Sequence, residues 1–169
     1  TRYEHTDFGK EVFPSSIASH HVQAHLFDGY WEDVGTIRSF MKANLDLTLP
    51  NPPLELDTEE FRIYSRPRYL PPTRMAGATI TNSLIADGCT IESGTVIENS
   101  IVGVRCRIGK DVTIRDSIII GSDYYESTQE KNQLLPVTPP IGIGERSLIQ
   151  GALIDKNCRI GRDVHVVND

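Results

Sequence analysis

The sequence contains few of the residues from which metal centres and disulfide frameworks are built. Three cysteines occur among the 169 residues, and no two of them form a Cys-x-x-Cys pair. A structural zinc site needs four ligands at characteristic spacings, so this set is incomplete. His20, His21 and His25 lie close together in sequence, but on a strand or loop their side chains would not converge. We therefore expect no metal site built from cysteine or histidine.

Long apolar runs and an excess of positive charge are also missing. No apolar run approaches the ~20 residues that span a bilayer, and the formal net charge is −6. An acidic chain is poorly suited to bind nucleic acid or an anionic membrane surface. No secretory signal opens the chain, and we expect a cytoplasmic protein, or a plastid protein in a plant.

What the sequence does have is an internal repeat, which is clearest over residues 80–113. The segments 80–96 and 97–113 align position for position, and the pattern resumes at residues 114 and 149. Aliphatic residues recur at steps of five or six between Ile80 and Ile119 and again between Ile143 and Val166. This spacing fits neither a helix nor a plain strand. It is typical of a parallel β-helix built from hexapeptide repeats.

In such a fold each short strand sends one aliphatic side chain inward, and three strands close one coil. Coils stack at about 4.8 Å, so equivalent residues form columns. Cys89, Cys106 and Cys158 each follow an aliphatic residue at the same distance and are expected to share an inward column. Cys89 and Cys106 could then come within the about 4.4–6.8 Å that a disulfide requires between Cα atoms. In a reducing cytosol we expect them instead as small buried residues.

Composition divides the chain into three parts. Residues 1–48 contain an alternating segment, Val22–Phe27, which predicts a strand, and an apolar stripe that predicts a helix from Ile37, with Thr36 or Gly35 as its N-cap. Residues 49–77 are punctuated by proline and form a linker. Residues 78–169 carry the β-helix. An insertion over residues 121–140 is tolerated at one corner because loop-closure entropy grows slowly with length.

The linker contains one short piece predicted to be extended, Phe61–Tyr64, and a set of basic residues. That set consists of Arg62, Arg66, Arg68 and Arg74. In an acidic chain such a set is either a solvated linker or an anion site at a domain junction.

Asp33 lies in the turn between the predicted strand and the predicted helix. Loops in this position carry functional sites in α/β folds. An aspartate before a helix also serves commonly as a cap or turn former, so position alone leaves both roles open.

Several motifs occur together in a fixed order. They are Asp7-Phe-Gly-Lys10, Gly29-Tyr-Trp-Glu-Asp-Val-Gly-Thr36, Pro67-Arg-Tyr-Leu-Pro-Pro72, Gly121-Ser-Asp-Tyr-Tyr-Glu126 and Ile154-Asp-Lys-Asn157. On a hexapeptide repeat, this set resembles the C-terminal part of the ADP-glucose pyrophosphorylases (glucose-1-phosphate adenylyltransferases). The resemblance covers nearly the whole chain.

The resemblance implies a two-domain enzyme of glycogen or starch biosynthesis. A Rossmann-like nucleotidyltransferase domain joins ATP and glucose 1-phosphate and releases pyrophosphate. A left-handed β-helix then serves assembly of a homo- or hetero-tetramer and control by a phosphorylated allosteric effector. Residues 1–48 would be the end of the first domain, and residues 78–169 an incomplete β-helix.

The same resemblance implies roles for individual residues. Asp33 matches the family's catalytic aspartate, which holds Mg²⁺ near the sugar phosphate. Mg²⁺ is usually bound by one or two carboxylates together with phosphates and waters, which agrees with that role. Lys156 matches a lysine that binds the anionic activator, and Arg68 lies where a second phosphate-binding cation is placed. Lys156 also lies at a corner of the repeat, where a solvated lysine is equally expected.

The chain departs from the family pattern at both ends. The glycine-rich nucleotide loop with its arginine, the first metal-binding aspartate, the Glu-Lys substrate pair and the second activator lysine have no counterpart here. Thr1 stands in place of an initiator methionine, and the sequence stops at Asp169 before further β-helix strands. We therefore expect a fragment with an open coil end, inactive alone.

Other functions of a hexapeptide β-helix fit less well. A coenzyme A acyltransferase needs a histidine base near the coils, and His165 is the sole histidine of the repeat region. A metal-dependent hydratase needs several converging histidines. Two readings stay open beside the adenylyltransferase. One is an assembly or regulatory module without activity of its own, and the other is a different sugar-1-phosphate nucleotidyltransferase.

Overall fold

The computed structural model describes residues 5–56, 58, 63–133, 135 and 137–168. The chain divides into two compact units, one up to Trp31 and the other from Glu32 onward. The second unit is mainly β. Phe61, Arg62 and Asp169, which belong to the predicted extended piece, the linker arginine set and the expected coil end, lie outside the described residues. Within the described part, no helix is both long and apolar enough to cross a bilayer.

The first unit is built around one short helical segment. A π-helical turn, Phe8–Val12, continues into α1, Phe13–Ser16. Asp7 begins this segment because its Oδ1 accepts a hydrogen bond from the Lys10 backbone N–H at 2.8 Å. The strand predicted at Val22–Phe27 is wrong. No described residue pairs with this segment, and a strand needs a hydrogen-bonded neighbour, which alternation in sequence does not supply.

Helix α2, Ile37–Leu45, begins the second unit and confirms the helix predicted there. Thr36 is the N-cap, and it exchanges hydrogen bonds with Ser39 in a capping box. A 3₁₀ turn, Asp46–Thr48, ends the segment, and Lys42 pairs with Asp46 at 2.6 Å.

The β-helix consists of short parallel strands in three sheets. The first sheet contains β1 Arg74–Met75, β4 Thr90–Ile91, β7 Arg107–Ile108, β10 Gly142–Ile143 and β13 Arg159–Ile160. The second contains β2 Thr79–Thr81, β5 Val96–Glu98, β8 Thr113–Arg115, β11 Leu148–Gln150 and β14 His165–Val167. The third contains β3 Leu84–Ile85, β6 Ile101–Val102, β9 Ile118–Ile119 and β12 Leu153–Ile154. Pairing starts at β1, before the aliphatic repeat becomes regular at residue 78.

The register of these sheets confirms the repeat. Ile91 pairs with Ile108 and Ile108 with Ile143 in the first sheet, and Ile97 pairs with Ile114 in the second. The aliphatic residues of the middle coils are fully buried and form one continuous core, as the five- to six-residue steps predict. The core follows the stacking direction, so each coil buries its apolar face against its neighbours.

The corners between strands are held by residues with left-handed backbone and by serine hydroxyls. Asn82, Asn99 and Asp116 have φ values of 45°, 45° and 47° at successive copies of one corner. Asn and Asp tolerate this conformation better than most residues. At the adjacent position the Ser100 hydroxyl donates to Glu98 O at 2.6 Å and accepts from the Ser117 N–H at 3.1 Å. The buried Ser100 hydroxyl therefore links two coils and has both a donor and an acceptor as partners.

The expected cysteine column is real but is interrupted. The register places Cys89 beside Cys106, whereas Ile141 separates Cys106 from Cys158. All three thiols are free, and Cys89 Sγ donates to Gly103 O at 3.1 Å. The neighbouring Cys89 thiol and burial raise the pKa of Cys106 above its usual value, so Cys106 stays a neutral thiol. Cys89 and Cys106 are the small buried residues expected for this column, whereas Cys158 is only half-buried.

The insertion leaves the coils after β9 and returns at β10. Its central part is a short helix, α3, Thr128–Gln133. Because both ends rejoin the stack at one corner, the register of β10 with β7 is kept across the insertion. The coils resume at β10, in agreement with the aliphatic steps that resume at Ile143 in the sequence.

Candidate functional site

Asp33 lies in an exposed turn directly before α2. Its Oδ1 accepts a hydrogen bond from the Gly35 backbone N–H at 3.0 Å, which fixes the carboxylate beside the capped start of the helix. The structure thus shows Asp33 as a turn former, one of the two roles that its sequence position leaves open. Oδ2 makes no hydrogen bond with any described residue, and Asp33 as a whole is exposed.

Asp33 can supply one carboxylate oxygen to a magnesium site. Among the described residues, no group of three or more His, Cys, Asp and Glu side chains could hold a metal ion. Mg²⁺ keeps several waters and takes substrate phosphates, so a single carboxylate fits as one of its ligands. Asp33 Oδ2 is the oxygen that would bind it.

Lys156 lies at a corner between β12 and β13, next to the beginning of the insertion. Its Nζ forms an ion pair with Asp123 Oδ1 at 2.9 Å. Asn157, with φ 58°, turns the same corner, and its Nδ2 donates to Asp123 Oδ2 at 3.0 Å. The Asp123 backbone N–H donates in return to Asn157 Oδ1 at 2.9 Å. One carboxylate is therefore held by two side chains of the Ile154-Asp-Lys-Asn157 motif.

A second basic group lies next to this arrangement. Arg105 occupies the position of the repeat equivalent to Asn157, two coils nearer the start of the stack, and its Nη1 donates to Ser122 O, on the coil between them, at 3.2 Å. The hydrogen bond from Lys156, the one from Asn157 and the charge of Arg105 all lower the pKa of Asp123, so this carboxyl is ionised at neutral pH. Sequence reasoning missed Asp123, Asn157 and Arg105, although the aligned repeat places Arg105 and Asn157 at the same corner position.

Arg68 is exposed, and within the described part of the chain no hydrogen bond or ion pair joins it to Lys156. The segment 67–72, which contains Arg68, nevertheless lies close to the insertion. Leu70 is half-buried beside Gly88, and the Tyr125 hydroxyl donates to Gly88 O at 2.8 Å. The guanidinium groups of Arg105 and Arg107 each lie 5.9 Å from the centroid of the Tyr125 ring. The linker motif and the insertion motif thus meet at one basic corner.

A second anchor of the insertion is buried. Glu126 is 7% exposed, and its Oε2 accepts a hydrogen bond from the Ile141 backbone N–H at 2.7 Å. Its Oε1 forms an ion pair with Arg159, whose Nη1 also donates to Pro139 O at 2.9 Å. Glu126 therefore holds both the start and the return of the insertion, which sequence reasoning did not assign to it.

A cleft of about 620 Å³ lies between the first sheet and the returning segment 137–140. Its charged lining is mixed, with Arg107 and Arg162 opposed by Glu92 and Glu145. The walls favour neither anions nor cations, and the cleft identifies no ligand class.

Comparison with known families agrees with the two parts of the chain. A family model described as "Nucleotidyl transferase" matches residues 1–49, the region that contains Asp33 and α2. A family model described as "GLGC left-handed parallel beta-helix domain" matches residues 68–169, which include Arg68, the insertion and Lys156. The second match extends over more than half of the chain and gives the hand of the coils. The chain belongs to the GLGC-type nucleotidyltransferase family.

Proposed function

We propose that the chain is part of a glucose-1-phosphate adenylyltransferase. In this reaction a phosphate oxygen of glucose 1-phosphate attacks the α-phosphorus of ATP, the bond to the β-phosphate breaks, and ADP-glucose and pyrophosphate are formed. The observation that carries the proposal is the Trp31-Glu-Asp-Val-Gly-Thr36 segment, which places an exposed aspartate before a capped helix inside the nucleotidyl transferase match. The choice of ATP and glucose rests on the motif resemblance.

In this proposal Asp33 is the catalytic carboxylate of the chain. The Gly35 N–H donates to Oδ1, and the Thr36–Ser39 capping box holds the turn, which leaves Oδ2 available to a metal ion. A bound Mg²⁺ would neutralise charge on the phosphates and orient them. The remaining ligands of the ion would come from phosphates, waters and the family's other aspartate.

The β-helix would supply assembly into a tetramer and regulation. Lys156 and Arg68 carry the positive charge that a phosphorylated effector requires, and both are exposed residues within the β-helix match. The ion pair of Lys156 with Asp123 supports a role of Lys156 in effector binding, since an ammonium group that binds a carboxylate can also bind a phosphate.

The test is an assay of the full-length protein with ATP, glucose 1-phosphate and Mg²⁺, following pyrophosphate release with and without sugar phosphates. We expect release with ATP and a rise with an activating anion. Release with UTP or GTP in place of ATP would assign the protein to another sugar-1-phosphate nucleotidyltransferase. If no nucleoside triphosphate gives pyrophosphate release, the remaining hypothesis is an assembly or regulatory module without activity of its own.

The Asp33→Asn variant of the full-length protein tests the assigned carboxylate. We expect the turnover number to fall roughly 10²-fold, which corresponds to about 3 kcal/mol of lost transition-state stabilisation. The asparagine oxygen can still accept from Gly35, so the thermal midpoint should not change. Asp28→Asn, in the preceding turn, is the matched control and should retain full turnover. Retained activity in Asp33→Asn would contradict the metal assignment.

A further inference from the structure

The corner that carries Lys156 has the composition of an anion site, and the anion in it is a side chain of the protein. Lys156 Nζ and Asn157 Nδ2 each donate to a different oxygen of Asp123, at 2.9 Å and 3.0 Å. Arg105 lies two coils nearer the start of the stack than Lys156; its Nη1 donates to Ser122 O, next to Asp123, and its charge helps to lower the pKa of the Asp123 carboxyl. A carboxylate and a phosphoryl group present the same kind of acceptor oxygens to such donors.

The donors and the acceptor come from different kinds of structure. Lys156, Asn157 and Arg105 lie on corners of the coils, whose backbone is fixed by pairing to the neighbouring strands. Asp123 lies in the insertion, close to the point where it leaves the stack, and half of its side chain is exposed. The backbone on both sides of Asp123 is held as well, since the Ser122 N–H donates to Val104 O and the Tyr125 hydroxyl donates to Gly88 O. What can leave the donors is therefore the exposed Asp123 side chain, which needs only a change of rotamer.

We propose that Arg105, Lys156 and Asn157 form a phosphate-binding site and that Asp123 is its built-in competitor. A phosphorylated ligand binds only when the Asp123 carboxylate has left Lys156 and Asn157, its two donors. The proposal deepens the effector site suggested above for Lys156 and rests on it. It adds two binding residues and assigns to the insertion the control of ligand affinity.

The size of the effect follows from competition. When only a fraction of the molecules can bind the ligand, the apparent dissociation constant equals the intrinsic one divided by that fraction. Exposed ion pairs are weak, so removing the Asp123 charge should lower the half-saturating phosphate concentration by about two- to tenfold. Both the lost competition and the lost repulsion between two anions act in this direction.

The experiment measures binding of inorganic phosphate to the full-length protein by isothermal titration calorimetry at constant ionic strength, with chloride as the balancing salt. Asp123→Asn removes the charge and keeps the shape. Asp116→Asn, an exposed aspartate on another corner, is the matched control. We expect Asp123→Asn to bind phosphate about two- to tenfold more tightly than the unmodified protein, and Asp116→Asn to bind as the unmodified protein does.

Two further variants locate the site. Lys156→Gln and Arg105→Gln should each weaken phosphate binding, and Asp123→Asn combined with Lys156→Gln should lose the gain of Asp123→Asn. Unchanged thermal midpoints identify variants that still fold. Equal or weaker binding by Asp123→Asn, or tight binding that survives Lys156→Gln, would overturn the proposal.

These outcomes are separate from the adenylyltransferase assignment. Calorimetry requires no turnover, so tighter binding by Asp123→Asn supports the competitor even in a protein that forms no ADP-glucose. An active adenylyltransferase in which Asp123→Asn does not alter phosphate binding would retain the proposed function and contradict this inference.

Discussion

Glu126 shows how much of the insertion's position depends on one carboxylate. Its side chain is nearly fully buried, and it reaches both Arg159 on β13 and the backbone N–H of Ile141. A buried charge is tolerated when it is paired and hydrogen-bonded, and removal of one partner leaves the others uncompensated. The insertion is therefore attached to the stack by a polar contact where most of the molecule uses apolar ones.

The substitution Glu126→Ala should lower the free energy of unfolding by roughly 1–3 kcal/mol, because the Ile141 N–H and the Arg159 guanidinium lose their acceptor. Urea denaturation followed by circular dichroism measures the change. The control is Glu130→Ala, an exposed residue of α3 whose bonds are local to Ser127. It should stay within about 0.5 kcal/mol of the unmodified protein. Equal effects of the two variants would show that the buried pair does not hold the insertion.

At the scale of the coil, the tightest constraint is the corner where the insertion begins. Gly121 has φ +103°, and a Cβ there would lie 2.3 Å from Val104 O and 2.9 Å from Val104 N. Gly161 follows β13. A Cβ there would meet no atom nearer than Val164 Cγ2 at 3.9 Å, so a methyl group fits without a clash. The two glycines look alike in sequence and differ in what the backbone requires of them.

We therefore expect Gly121→Ala to destabilise the protein by at least about 1–3 kcal/mol, because alanine disfavours that φ and contacts the backbone of the coil below. Gly161→Ala is the matched variant and should leave the thermal midpoint nearly unchanged. Differential scanning calorimetry of both variants provides the comparison. A neutral Gly121→Ala would mean that this corner can change its backbone conformation at little cost.

The elements differ in how far their sequences determine them. The β-helix strands and α2 were predictable because their signals are local: aliphatic steps of five or six for the coils, and a capped apolar stripe from Thr36 for the helix. The segment Val22–Phe27 has the apolar–polar alternation of a strand, but no described residue pairs with it, so its pattern predicted a strand that does not form. The Asp123–Lys156 contact joins residues 33 positions apart, and no periodicity in the sequence reports such a pair.

For the whole molecule, stability is distributed along the stack. The residues Ile97, Ile114 and Ile149 are 0% exposed, whereas the equivalent positions at the two ends of the described stack are half-buried. In an array where each coil contacts its neighbours only, opening proceeds from the ends.

Hydrogen exchange should reveal this gradient. Backbone amides of β5 and β8 are expected to exchange most slowly, and those of β2 and β14 in the same sheet most rapidly. Mass spectrometry of peptic peptides from the protein resolves the four strands. Uniform protection of all four would show instead that the coils open as a single cooperative unit.

The separation of a repeating stack from its corner insertion has a consequence for evolution. Gain or loss of a residue inside a coil displaces every later column and damages the whole core at once. Between the anchors Glu126 and Ile141 the chain is exempt from that rule, because β10 pairs with β7 across the insertion. Descendants of one ancestor can thus change the residues between these two anchors while the scaffold stays constant, and new regulatory chemistry can arise in the lineage faster than new architecture.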